Sequence, residues 1–95
     1  MAEAESKFAA LTADICDSIE KEKMSPKEGD AYFTLLYLIM DDSFPDLKLS
    51  QEMDGILFEG MRLHDYGKDY GANLNAMRIL AKRILGRGDS RIQQD

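Results

Sequence analysis

The amino-acid sequence predicts an all-α fold, a small bundle of about four helices packed antiparallel or orthogonally. Apolar residues recur at steps of three and four along most of the chain, which is the spacing of one helix face. The segment Ser25–Glu28 has the residue order of a helix start. A chain of 95 residues, 44% hydrophobic and 32% charged, is the size and composition of one globular domain. Short connections between the helices favour a bundle.

The first helix is predicted over about residues 3–23. Its apolar stripe consists of Phe8, Leu11, Ile15 and Ile19. Acidic residues fill the opposite face and the first turn, where the helix dipole favours negative charge.

The second helix is predicted over about residues 26–42. Ser25 can cap it, proline suits its first position, and Glu28 can reach back to the free amide of the cap. Residues 31–40 are apolar on nearly every side of such a helix, and a helix of that kind is normally surrounded by others. We therefore expect it at the centre of the bundle. A buried strand is the competing interpretation, which the capping residues, the length and the Leu and Met content disfavour.

The third helix is predicted over about residues 51–66, after a connection at 43–50. Ser50 can cap it. Its apolar side holds Met53, Ile56, Leu57, Gly60, Met61 and His64.

The fourth helix is predicted over about residues 72–86. Gly86 and Gly88 are expected to end it, since glycine commonly follows the last helical residue. Residues 87–95 are then expected to form a flexible polar tail of the single domain 1–95.

The formal net charge is −6, but the charge is unevenly distributed. Residues 1–66 sum to −9 and residues 67–95 to +3. The negative net charge disfavours non-specific binding to nucleic acid or to anionic membranes. The longest apolar run, at 31–40, is far shorter than the ~20 residues of a membrane span. The single cysteine excludes an internal disulfide and fits a reducing compartment. We expect a complete, cytoplasmic chain without a membrane segment.

Two residues with reactive side chains carry no catalytic pattern. His64 is the only histidine. It precedes Asp65, which cannot easily orient it because successive helix positions point about 100° apart. Cys16 lies close to Asp14 and Asp17, whose charges raise a thiol pKa rather than activate the thiol. We expect a structural or surface histidine and a small apolar filler at the edge of the core.

A calcium site is the one metal site that the spacing suggests. Asp41 and Glu52 stand as far apart as the first and last ligands of an EF-hand loop. The pattern fails between them, since Asp46 replaces the glycine of the sharp turn and Pro45 occupies a ligand position. We therefore predict no metal, no cofactor and no catalytic residue.

Two surfaces remain as candidates for binding. The first is apolar and aromatic, and suits another protein, most simply a second copy in a homodimer. Its predicted residues are Tyr32, Leu36, Tyr37, Met40, Tyr66 and Tyr70. Burial of the second helix by its neighbours, and of the tyrosines in the core, is the alternative.

The second candidate surface is a basic patch at the carboxyl end. Its residues are Arg78, Lys82, Arg83, Arg87 and Arg91. Such a helix could face nucleic acid, or its cations could pair with acidic helices of the same fold. The sequence thus predicts a small non-catalytic interaction module, an adaptor, regulator or inhibitor, and as the alternative a nucleic-acid-associated regulator.

Overall fold

A computed structural model describes the backbone of residues 2–43, 46 and 48–94, and side chains within these ranges except at 2, 3 and 88–94. The described residues form four α-helices: α1 (Ala2–Glu20), α2 (Pro26–Ser43), α3 (Gln51–Gly60) and α4 (Gly71–Gln94). A 3₁₀ turn (Leu63–Tyr66) joins α3 to α4. The described residues contain no strand. The predicted all-α class and the helical state of residues 31–40 are confirmed.

Both serine caps form as the sequence predicts. The Glu28 amide donates to Ser25 Oγ at 3.1 Å, and the Ser25 amide donates to the Glu28 carboxylate at 3.1 Å. At the start of α3, the Met53 amide donates to Ser50 Oγ at 3.3 Å. These bonds satisfy amides that have no partner inside their own helix, and they explain why both helices begin where they do.

α4 is the centre of the bundle, contacting both α1 and α3 extensively. Arg78 bonds to Asp17 and Glu20 near the end of α1, and Arg87 pairs with Glu5 near its start, so these two helices run antiparallel. α3 is also antiparallel to α4, because Glu52 contacts Arg87 while Glu59 contacts Asn73. The three helices bury most of their apolar stripes on one another, although Leu11 in the predicted stripe of α1 is 40% exposed.

The prediction that the second helix lies at the centre is wrong. α2 packs mainly on α3 and the 3₁₀ turn, with fewer contacts to α1. Only Gly29 and Phe33 of α2 are buried. The other three helices already cover one another's stripes, so they leave a single surface for α2. Most of its apolar circumference therefore stays outside the core.

Three helix ends also differ from the sequence prediction. α1 ends at Glu20 rather than near residue 23. α3 ends at Gly60 rather than near residue 66. α4 continues through Gly86 to Gln94, so residues 87–94 extend the helix instead of leaving it. Gly86 and Gly88 both lie inside α4, and each internal glycine costs a helix only about 1 kcal/mol. Arg87 offsets this by bonding to Glu5 and Glu52 on the two neighbouring helices.

The contact between α2 and α3 is closest at Gly60. A Cβ added there would lie 2.5 Å from the Phe33 ring atoms Cγ and Cδ2. Phe33 is completely buried. The absence of a side chain at Gly60 thus lets the ring lie directly on the α3 backbone, and this contact fixes which side of α2 faces inward.

Candidate functional site

The side of α2 that points away from Phe33 is apolar and exposed. Four of its side chains are at least half exposed: Tyr32 50%, Leu35 56%, Leu38 54% and Ile39 50%. We call these four residues the α2 outer face. Their spacing places them across about 120° of the helix surface, at 100° per residue. None of the four is charged.

This face is more than the usual scatter of exposed apolar residues. Among the described residues, eight large hydrophobic side chains are exposed, and five of them belong to α2. The other three, Leu11, Phe58 and Ile79, stand singly on three different helices. Single exposed apolar residues are ordinary, whereas a contiguous apolar patch is a sign of an interaction site.

The predicted partner-binding residues of α2 divide between its two sides. Tyr32 and Tyr37 are exposed, at 50% and 40%. Leu36 and Met40 are partly buried and pack against the core, so they attach α2 to the body. Leu35, Leu38 and Ile39 are exposed and were not among the predicted binding residues. The position of Gly29 could have indicated which side of α2 faces inward. Gly29 lies one turn before Phe33, and a small residue is typical of the side where two helices approach closely.

The predicted tyrosine pair is not a freely exposed pair. Tyr66 lies in the 3₁₀ turn and is half-buried, and Tyr70 is partly buried against the core. Tyr70 lines two open surface pockets of about 280 and 290 Å³. The second pocket also contains Glu20 and Arg78, which bond to each other.

The basic patch is partly neutralised within the fold. Arg78 donates to Asp17 at 2.9 Å and also to Glu20. These two bonds raise the pKa of the Arg78 guanidinium above its already high value, and the bond to Glu20 has the larger effect. Both carboxylates lie on α1, so Arg78 ties α4 to the end of α1.

A second internal ion pair uses Arg87. Its guanidinium bonds to Glu52 and lies 3.5 Å from a Glu5 carboxylate oxygen. The hydrogen bond from Arg87 lowers the pKa of Glu52. Lys82 and Arg83 are exposed. The side chain of Arg91 lies outside the described residues.

Neither His64 nor Cys16 lines either of the two pockets described above. His64 Nδ1 lies 3.5 Å from Asp65 Oδ1, with both side chains at least half exposed. The 3₁₀ turn thus brings together two residues that we expected to diverge. Cys16 is fully buried, and its Sγ lies 4.0 Å from the Leu74 carbonyl oxygen. Burial, with the Asp17 and Glu20 charges adding to it and Arg78 opposing it, raises the Cys16 pKa to about 11.

The described part of the chain holds no group of three or more His, Cys, Asp or Glu side chains that could bind a metal ion. The predicted connection 43–50, including Pro45, falls partly on residues outside the described ranges. Within the same described residues, no helix has the length and apolar character needed to cross a membrane.

Comparison of this chain with protein-family models, with curated proteins and with solved structures finds no match. The α2 outer face is the most distinctive surface of the described residues.

Proposed function

We propose that this protein is a small, non-catalytic helical interaction module, an adaptor, regulator or inhibitor, that works as a homodimer. The α2 outer face carries the proposal, with a second copy of the chain as its occupant. Two copies can meet through this face without burying a charge, because none of its four residues is ionisable at neutral pH. An unpaired buried charge would cost far more than the apolar contact contributes.

The area of the face supports a dimer. Four large side chains of roughly 200 Å² each, half exposed, present about 400 Å² of mostly apolar surface. Two copies would bury about 800 Å². Since interfaces are about 60% apolar, this corresponds to a total interface of about 1,300 Å², within the range of specific complexes.

The proposal is tested by the oligomeric state in solution. Sedimentation velocity at protein concentrations up to about 1 mM, the weak end of specific affinities, should show a dimer for the wild-type chain. Leu35→Asp places a charge in the middle of the face and should give a monomer. The side chain of Leu35 is 56% exposed, so the substitution leaves the core intact.

Ile79→Asp is the matched control. Ile79 is 52% exposed on the outer side of α4, so it receives the same change at the same exposure away from α2. It should remain dimeric. A wild-type chain that stays monomeric throughout the range, or a dimer equally weakened by both substitutions, contradicts the proposal.

The alternative proposal is a nucleic-acid-associated regulator that uses α4. Its support is the exposed cations Lys82 and Arg83, while Arg78 and Arg87 are engaged by carboxylates of the same fold. A nucleic-acid probe that binds at low salt and is released by added salt would favour it.

We further propose a cytoplasmic location, which the unpaired thiol of Cys16 supports because extracellular proteins usually oxidise their cysteines.

A further inference from the structure

We infer that the two copies pair through antiparallel α2 helices, with the two-fold axis passing near Leu35. This inference rests on the proposed dimer and adds its direction, its register and its response to salt. Three observations carry it: the distribution of charge between the two ends of α2, the placement of apolar residues along it, and the net charge of the chain.

The two ends of α2 differ in charge. Its first turn holds Lys27 and Glu28, whose charges cancel. Its last turn holds Asp41 and Asp42 and no cation. The helix dipole adds partial positive charge at the beginning of a helix and partial negative charge at its end.

Parallel pairing would bring like ends together. Four carboxylates and two negative dipole ends would then lie side by side at the ends of the two helices. Antiparallel pairing places each acidic end beside the neutral beginning of the partner's α2, where the dipole is positive. The charge distribution therefore selects the antiparallel arrangement.

The apolar residues suit the same arrangement. The four residues of the α2 outer face are centred near position 36, close to the middle of α2. A two-fold axis near Leu35 places Tyr32 beside the partner's Leu38 and Ile39. The single large ring at one end of the face then packs on the two aliphatic side chains at the other end, and the apolar contact continues along the whole face.

Net charge determines how the dimer responds to salt. Each copy carries a formal charge of −6, so two copies repel each other at long range. Salt shortens the range of this repulsion, to about 10 Å at about 0.1 M. Since the contact itself is apolar, the affinity of the dimer should rise by several fold between about 10 mM and 0.2 M salt. A basic protein partner or a nucleic acid would show the opposite dependence.

Disulfide trapping with single-cysteine substitutions tests the direction. In a glutathione redox buffer, Leu35→Cys should form a symmetric covalent dimer across the axis. Tyr32→Cys and Ile39→Cys should each stay uncrosslinked alone, because identical positions are separated along the helices by about 10 Å, beyond disulfide reach. A mixture of these two variants should form the mixed dimer, which mass spectrometry identifies. The wild-type chain is the control, since its one cysteine is buried.

The outcomes separate this inference from the proposed function. If Tyr32→Cys and Ile39→Cys each crosslink with themselves, the pairing is parallel and the inference fails while the dimer stands. A wild-type dimer that no α2 cysteine traps overturns the inference, since the contact then lies elsewhere. A wild-type affinity that falls with added salt, measured by sedimentation without any substitution, overturns the charge argument. A monomeric wild-type chain overturns the proposed function itself.

Discussion

Replacing Gly60 by alanine should destabilise the fold at the contact that positions α2. The new Cβ would lie 2.5 Å from Phe33 Cγ and Cδ2 and 3.0 Å from Phe33 Cβ. Unstrained carbon contacts are about 3.5–4.0 Å, so the ring would have to move by about 1 Å. It has no free space to enter, because Phe33 is 0% exposed.

The expected loss follows from two opposing effects. Overpacking a core by one methyl group costs about 1–3 kcal/mol. Alanine is a better helix former than glycine by up to about 1 kcal/mol, and Gly60 receives only part of that gain because it is the last residue of α3. The free energy of unfolding should therefore fall by about 1–2 kcal/mol.

Gly86→Ala is the control that separates helix propensity from packing. Nothing lies within 4 Å of a Cβ added at Gly86, which is inside α4. This variant should gain about 0.5–1 kcal/mol. Urea unfolding followed by far-ultraviolet circular dichroism should shift the midpoints of the two variants in opposite directions. All samples are kept at one protein concentration, because the proposed dimer would gain stability by mass action.

A double-mutant cycle identifies the clash. With Phe33→Leu in the background, the cost of Gly60→Ala should shrink, giving a coupling energy of about 0.5 kcal/mol or more. A Gly60→Ala variant as stable as the wild type would refute the close approach of α2 to α3, and an unchanged cost in the Phe33→Leu background would exclude the ring as its cause.

Three further predictions concern single residues. Glu22→Gly should raise the free energy of unfolding, measured in urea, by about 1 kcal/mol. The reason is that Glu22 has a φ of 60°, a left-handed conformation that costs L-residues energy but not glycine. A variant less stable than the wild type would contradict this. At about pH 8, Cys16 should react with a thiol reagent at least ~100-fold more slowly in the native than in the urea-unfolded protein, since raising its pKa from 9.0 to about 11 cuts the thiolate fraction by that factor. Arg87 holds the pKa of Glu52 below 4.5, so this pair stabilises the fold above that pH and the contribution is lost as the pH falls through the lowered pKa. Glu52→Gln should therefore lower stability at neutral pH and flatten the acid limb of the stability profile, while Asp14→Asn, at an exposed carboxylate, should change both less.

The sequence predicted local structure better than it predicted the arrangement of the helices. Ser25 and Ser50 cap their helices as expected, because capping depends on residues within one turn. The end of α4 was misplaced because Gly86 is a local signal, whereas the bonds from Arg87 that offset it come from residues distant in the chain.

The candidate site was predicted only in part for the same reason. Tyr32 was identified, but Leu35 was not, since a helix that is apolar all round does not reveal which of its sides the other helices cover. The inward side of α2 is decided by Gly60, a residue of another helix. The spacing of apolar residues within α2 therefore could not predict which side of the helix faces inward.

The division of α2 into an inner and an outer side has a consequence for how the protein can change. Phe33 and Gly29 anchor the helix from within, while Tyr32, Leu35 and Ile39 take no part in the buried core. If this side forms the proposed contact, substitutions at these outer positions would alter which surface it binds while the folded state stays intact. Binding by the proposed contact surface and folding would then depend on different residues of one helix, so an evolving or engineered lineage could acquire a new specificity there without first gaining extra stability.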